Sequence, residues 1–118
     1  PLLDIGRGEL AVALYSEDNG ELDQLWDEQM ITPDDLSSRI TMPTLFCGEG
    51  VSGVAKVLRE RLGHNAIIAG LVPPTRYPDT LAQLGYQRFL AGERDNLASL
   101  EPLYLRRPSI TPPRQPRG

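Results

Sequence analysis

The chain has 118 residues and a mass of 13.0 kDa, with 40% hydrophobic residues, 24% charged residues and a formal net charge of −4. This is the composition of one soluble globular domain with a single core. No run approaches the ~18 apolar residues of a membrane span, and no basic start followed by an apolar stretch marks a signal peptide. One cysteine, Cys47, excludes an internal disulfide framework and suits a reducing cytosol, and one histidine, His64, excludes a multi-histidine metal site.

Charge is unevenly distributed. Residues 1–35 hold ten acids and one base, residues 36–101 are nearly balanced, and residues 102–118 hold four arginines and no acid. The acidic body disfavours contact with nucleic-acid phosphates, and four arginines at one end are a weak footprint for RNA. The chain enters an apolar segment, Leu2-Leu3-Asp4-Ile5, directly after Pro1, and we expect it to be a piece of a longer protein without its partner half.

A short strand is expected over residues 2–5, and Gly6-Arg7-Gly8 reads as a tight turn. Glu9 to Ser16 alternates Leu10, Val12 and Leu14 with Ala11, Ala13 and Tyr15, a strand buried on both sides. Asp18-Asn19-Gly20 is a strong hairpin signal. In residues 21–31, Leu22, Leu25, Trp26 and Met30 fit helical spacing, but the Asn-Gly turn favours a strand. Thr32-Pro33-Asp34-Asp35 opens a short helix over about 33–40, with a cap, a proline at the first helical position and acids at the positive end.

Residues 43–47 form a buried strand that ends at Gly48-Glu49-Gly50. Val51, Val54, Ala55, Leu58 and Leu62 then follow helical spacing, and Gly63 stops the helix. Residues 66–71 are a further strand, broken by Pro73-Pro74, and a longer helix runs from about Pro78 to Ala91. Residues 106–118, rich in proline and arginine, are expected to form an extended or disordered, flexible tail beyond a domain of residues 1–105. Three antiparallel strands followed by helix, strand, helix, strand and helix predict an α/β fold. It has a mixed five-stranded sheet and helices on both faces, the element order of an RNase H-like (actin-like ATPase) domain.

Few residues suggest chemistry, and each has a plain structural reading beside the functional one. Asp4, Gly6 and Gly8 could cradle a phosphate through backbone amides, or simply serve a hairpin. Gly48 and Gly50 could open an anion site at a helix start, or permit close strand–helix packing. Asp4 and Glu49, with Asp79 as a third carboxylate, could hold Mg²⁺ in a nuclease, although the acidic body argues against that use. Cys47 reads as a core thiol without a neighbouring base, His64 as a solvated turn residue and Trp26 as core. The acidic segment 17–35 reads as a solvated face that could dock a basic partner.

Leu3-Asp4-Ile5-Gly6-Arg7-Gly8-Glu9-Leu10-Ala11-Val12-Ala13-Leu14-Tyr15 resembles the Asp-Ala-Arg-x-Gly-Glu-Val-Tyr-x-Ala stretch of the TsaB (YeaZ) family. Gly48-Glu49-Gly50 sits where that family has Gly-Asp-Gly, and Pro102-Leu103-Tyr104-Leu105-Arg106 is similar to its Pro-x-Tyr-Leu-Arg ending. The chain departs from the pattern at Ile5-Gly6, where Ala is common, and lacks the family's aromatic at position 11 or 12.

The resemblance implies the C-terminal RNase H-like domain of a noncatalytic subunit in the cytoplasm. That subunit pairs with a TsaD-like catalyst of threonylcarbamoyl transfer to adenosine 37 of tRNA. A TsaE-like ATPase joins the complex, tRNA is met only indirectly, and a homodimer is compatible with the reading. No cofactor is expected. Residual nucleotide contact would fall to Asp4, Gly6, Gly8, Gly48 and Gly50. The alternatives are the nucleotide-binding half of an actin-like small-molecule kinase and, further off, an RNase H-like nuclease.

Overall fold

The computed structural model describes residues 1–70 and 76–106. Its elements are β1 (Leu2–Asp4), β2 (Leu10–Asp18), β3 (Glu21–Ile31), α1 (Pro33–Arg39), β4 (Thr44–Phe46), α2 (Val51–Leu62), a 3₁₀ turn (Gly63–Asn65), β5 (Ala66–Ile68) and α3 (Pro78–Leu90). The expected tail beyond Arg106 lies outside the described residues. No helix among the described residues is long and apolar enough to cross a membrane.

Strands β1, β2 and β3 form an antiparallel meander, with Leu2 opposite Val12 and Leu10 opposite Ile31. The β2–β3 turn is tight because Asn19 and Gly20 both take left-handed φ, 54° and 86°, as a type I′ turn requires. Strand β3 has two extra residues relative to β2, with register shifts between Val12 and Leu14 and between Leu14 and Tyr15. Of these bulges, the one between Trp26 and Gln29 lets Trp26 and Ile31, five residues apart, pack against the same core. They also explain the mixed periodicity of residues 21–31.

Strands β4 and β5 form a separate parallel pair, Thr44 opposite Ala66 and Phe46 opposite Ile68. The five expected strands therefore form as a mixed α/β fold with two sheets. Two backbone bonds join them. The Leu2 amide donates to the Cys47 carbonyl at 2.7 Å, and the Gly50 amide donates to the Leu2 carbonyl at 2.9 Å. A regular parallel ladder would return to Leu2 from residue 49. Here the donor is one residue later, and Gly48, at φ +102°, supplies the kink.

The core is a single cluster: Leu2, Leu10, Val12, Ile31, Leu36, Ile40, Phe46, Val51 and Leu58. It lies between one face of the strands and helices α1 and α2. Helix α1 starts at Thr32, whose hydroxyl accepts from the Asp35 amide at 3.2 Å and donates to its carboxylate at 2.9 Å. Helix α2 buries Val51 and Leu58 and stops at Gly63, whose φ of 55° suits glycine. Asp34 and Arg61 tie the two helices together across 2.9 Å.

The opposite face of the strands is less covered than the pattern of β2 predicts. Ala11 and Ala13 are only half-buried and Tyr15 is exposed. Leu45 and Ile67, paired across β4 and β5, are 59% and 49% exposed. Helix α3 has no buried residue. The expected cover of helices on both faces is thus met on the α1–α2 face, where the large side chains point, and not by α3 on the other.

Candidate functional site

The two glycine segments singled out in the sequence flank strand β1. Gly6, Arg7 and Gly8 hold three successive left-handed conformations, φ 77°, 59° and 76°. This tight connection is closed by Ile5 donating to the Glu9 carbonyl and Glu9 donating to the Gly6 carbonyl, both at 3.2 Å. Two glycines lower the cost of such a turn, and Arg7 carries the strain of the third position. A Cβ at Gly6 or Gly8 would meet nothing within 4 Å, so these glycines serve the backbone conformation rather than a close approach. The Asp4 carboxylate turns onto its own loop and accepts from the Gly6 amide at 2.7 Å.

Gly48 and Gly50 have the opposite cause. A Cβ at Gly48 would stand 2.5 Å from the Leu2 carbonyl oxygen, and one at Gly50 would stand 2.9 Å from the Asp4 amide nitrogen. The space in front of these glycines is filled by β1. The structure therefore packs Gly48 against the backbone of Leu2 and Gly50 against the backbone from Leu2 to Asp4, while Gly6 and Gly8 stand clear beyond the end of the strand.

Glu49 lies between the two packed glycines and meets Arg76 in a two-pronged contact, Nε to Oε1 and Nη2 to Oε2, both at 3.1 Å. The Arg76 hydrogen bond, aided by its charge, lowers the Glu49 carboxyl pKa below the ordinary 4.5 against a smaller opposing effect of desolvation. The two carboxylates suggested for a metal ion are thus engaged separately, Asp4 by an amide and Glu49 by a guanidinium. Asp79 stands exposed in the first turn of α3. Among the described residues no group of three or more His, Cys, Asp and Glu side chains is arranged to hold a metal ion.

Cys47 is a half-buried free thiol whose backbone carbonyl joins the two sheets. His64 is exposed in the 3₁₀ turn. Trp26 is half-buried and packs against the core. The Arg39 guanidinium stacks on its ring at 4.1 Å and donates to the Gln29 side chain at 2.7 Å.

Two features were not legible in the sequence. The first is an open cleft of about 250 Å³ on the outer face of β1 and β2, walled by Leu3, Ala11, Ala13, Tyr15, Arg76 and Leu105. The second is an ion pair between Glu9 and Arg106, each about one third exposed. It closes a span of 97 residues. The pair pins the segment ending at Arg106 to the start of β2 and seats Leu105 at the cleft wall. Glu9 and Arg106 each stood out within a motif, but nothing in either motif signals that they meet. No known family model matches the chain, and no curated protein matches it.

Proposed function

We propose that the chain is the C-terminal, RNase H-like domain of a TsaB-like noncatalytic subunit. It works in the cytoplasm with a TsaD-like catalyst and a TsaE-like ATPase in threonylcarbamoyl transfer to adenosine 37 of tRNA. The observation that carries this reading is the Glu9–Arg106 ion pair. The two stretches that most resemble the family, Arg7-Gly8-Glu9 and Tyr104-Leu105-Arg106, are joined by their charged ends. A shared architectural role is a physical reason for both to occur in one chain.

The finer fold belongs to the same proposal. The bonds from Leu2 to Cys47 and from Gly50 to Leu2 support reading the strands as one five-stranded sheet in the order β3-β2-β1-β4-β5, with the β1–β4 seam interrupted at Gly48. The kinase alternative is less well supported, because the β1 backbone fills the space before Gly48 and Gly50 and the Asp4 carboxylate is held by Gly6. A scaffold subunit needs a packed core and a shaped surface rather than a reactive pair.

The test is genetic and biochemical. Deleting the gene should abolish the threonylcarbamoyl modification of tRNAs that read ANN codons, and the full-length protein should co-purify with a TsaD-like subunit. Unchanged modification in the deletion strain rejects the reading. Saturable binding of Mg·ATP to the intact protein, measured by calorimetry, would favour the kinase instead.

A further inference from the structure

The sequence holds three asparagines, Asn19, Asn65 and Asn96, and the fold constrains two of them. The Asn96 side-chain oxygen accepts from the Ala98 amide at 3.0 Å, and the bulky Leu97 follows it. Asn65 ends the 3₁₀ turn, and the amide after it, that of Ala66, donates to the Gly63 carbonyl. Asn19 is exposed and precedes Gly20, and no hydrogen bond among the described residues holds its side chain. The Gly20 amide donates to no backbone carbonyl among them, because the closing bond of a two-residue turn falls to the residue that follows.

We propose that Asn19 is a site of spontaneous covalent modification, converted to aspartate and isoaspartate through a cyclic imide closed with the backbone nitrogen of Gly20. This inference does not depend on the tRNA reading.

The chemistry needs only water. The Gly20 nitrogen gives up its proton to solvent and attacks the side-chain carbonyl carbon of Asn19. A carbon–nitrogen bond forms, the bond to the side-chain nitrogen breaks, and ammonia leaves with a proton taken from water. Water then opens the ring at one of its two carbonyls. Cleavage between the Gly20 nitrogen and the side-chain carbonyl gives aspartate. Cleavage between that nitrogen and the main-chain carbonyl gives isoaspartate, with the chain running through the former side chain. The sum is asparagine plus water to aspartate or isoaspartate plus ammonia, with no change of oxidation state.

The fold leaves this path open at position 19. Ring closure requires the Gly20 nitrogen to swing onto the side chain before it. Gly20 has no side chain to obstruct the movement, and the space where a Cβ would stand is empty. The turn lies at the end of a two-stranded arm. Strand β1 pairs only with Leu10–Val12, so from Leu14 to Trp26 the strands β2 and β3 hold only each other among the described residues. Such an end opens locally at little cost, which releases Asn19 and Gly20 from their left-handed φ of 54° and 86°. Glu17, Asp18, Glu21 and Asp23 flank the turn. Their charges disfavour the anionic nitrogen and slow the reaction without shielding the site. The product adds one negative charge to a chain whose formal net charge is −4. Isoaspartate also inserts a backbone atom into a turn whose length sets the Asp18–Glu21 register.

Peptide mapping tests the proposal. The three asparagines fall on separate tryptic peptides, residues 8–39, 62–76 and 95–106. The folded chain is kept in warm, mildly alkaline buffer beside a denatured sample. Peptide 8–39 alone should gain one mass unit, and an isoaspartyl methyltransferase with S-adenosylmethionine should label the same peptide at its free α-carboxylate. An acidic isoform should grow in parallel on isoelectric focusing. Asn19→Gly, which suits a left-handed turn position, should abolish the mass gain, the label and the isoform while preserving the far-ultraviolet circular dichroism. Conversion of Asn19 in the denatured sample but not in the folded chain would overturn the proposal. So would an equal or earlier gain in peptide 62–76 or 95–106.

Discussion

The amide of Gly50 donates to the carbonyl of Leu2 at 2.9 Å, and through this contact the start of α2 is fastened to the first strand of the meander. The contact is close enough that side chains are excluded. At Gly50 an added Cβ would lie 2.9 Å from the Asp4 nitrogen, and at Gly48 it would lie 2.5 Å from the Leu2 oxygen in a backbone with φ +102°. In each case the obstacle is backbone, which cannot swing aside as a side-chain tip can.

Gly50→Ala and Gly48→Ala should each cost about 2–4 kcal/mol of unfolding free energy, because the β1–β4 seam must open or strain. Gly53→Ala is the control. It lies in α2 with nothing within 4 Å of its Cβ and should gain up to about 1 kcal/mol from helix propensity. Urea denaturation of the three variants checks the contrast. Equal effects at positions 50 and 53 would contradict the packing described.

Leu58→Ala should cost about 2–5 kcal/mol, since Leu58 is fully buried and its loss leaves a cavity between α2 and the strands. Leu97→Ala should change stability by less than about 0.5 kcal/mol, because Leu97 is 86% exposed. The midpoint of urea unfolding reads both.

Most of the elements were legible because their signals are local. The Asn19-Gly20 turn, the Thr32-Pro33 helix start, the Gly63 stop and the spacing of Val51, Val54, Ala55 and Leu58 each act within a few residues, and the structure places turn, start and stop as the spacing predicts. The strand reading of residues 21–31 also held, although two bulges obscured its alternation. What could not be read depends on contacts between distant segments. The alternation of β2 predicts two buried sides, but whether the Ala11–Ala13 side is covered depends on where α3 lies. For Gly48 and Gly50 both an anion site and close packing stayed open, because sequence does not show that the backbone of Leu2 and Asp4 occupies their space. Arg76 as the partner of Glu49, and Arg106 as the partner of Glu9, are separated from them by 27 and 97 residues.

The Glu9–Arg106 pair should show a modest coupling. Both side chains are about one third exposed, so solvent screens the pair. A double-mutant cycle with Glu9→Gln and Arg106→Gln should give a coupling of about 0.5–1 kcal/mol. The reversed pair, Glu9→Arg with Arg106→Glu, should recover part of it. Zero coupling at low salt would separate the two motifs.

Glu49 should titrate below the ordinary glutamate value of 4.5 because Arg76 hydrogen-bonds its charged form. A carboxylate with a lowered folded-state pKa contributes stability that is fully present above the unfolded value. That contribution is lost as the pH falls through the folded value. The Arg76–Glu49 contact should therefore hold at neutral pH and fade only below about pH 4.5. Carbon-13 NMR of the Glu49 carboxyl group reads the midpoint directly. Arg76→Ala should move it up toward the ordinary value, and an unchanged midpoint would show that the two side chains do not pair in solution.

Strand β3, of 11 residues, is the outermost strand of the meander, and its outer edge pairs with no further strand among the described residues. Such a rim invites stacking into fibrils. Here the spacing along that edge is broken twice by the register shifts against β2, and Glu21, Asp23, Asp27 and Glu28 place like charges along it. An incoming strand would have to match an uneven ladder while approaching its own kind of charge. The chain can thus leave apolar surface elsewhere available for a specific partner without polymerising through its rim.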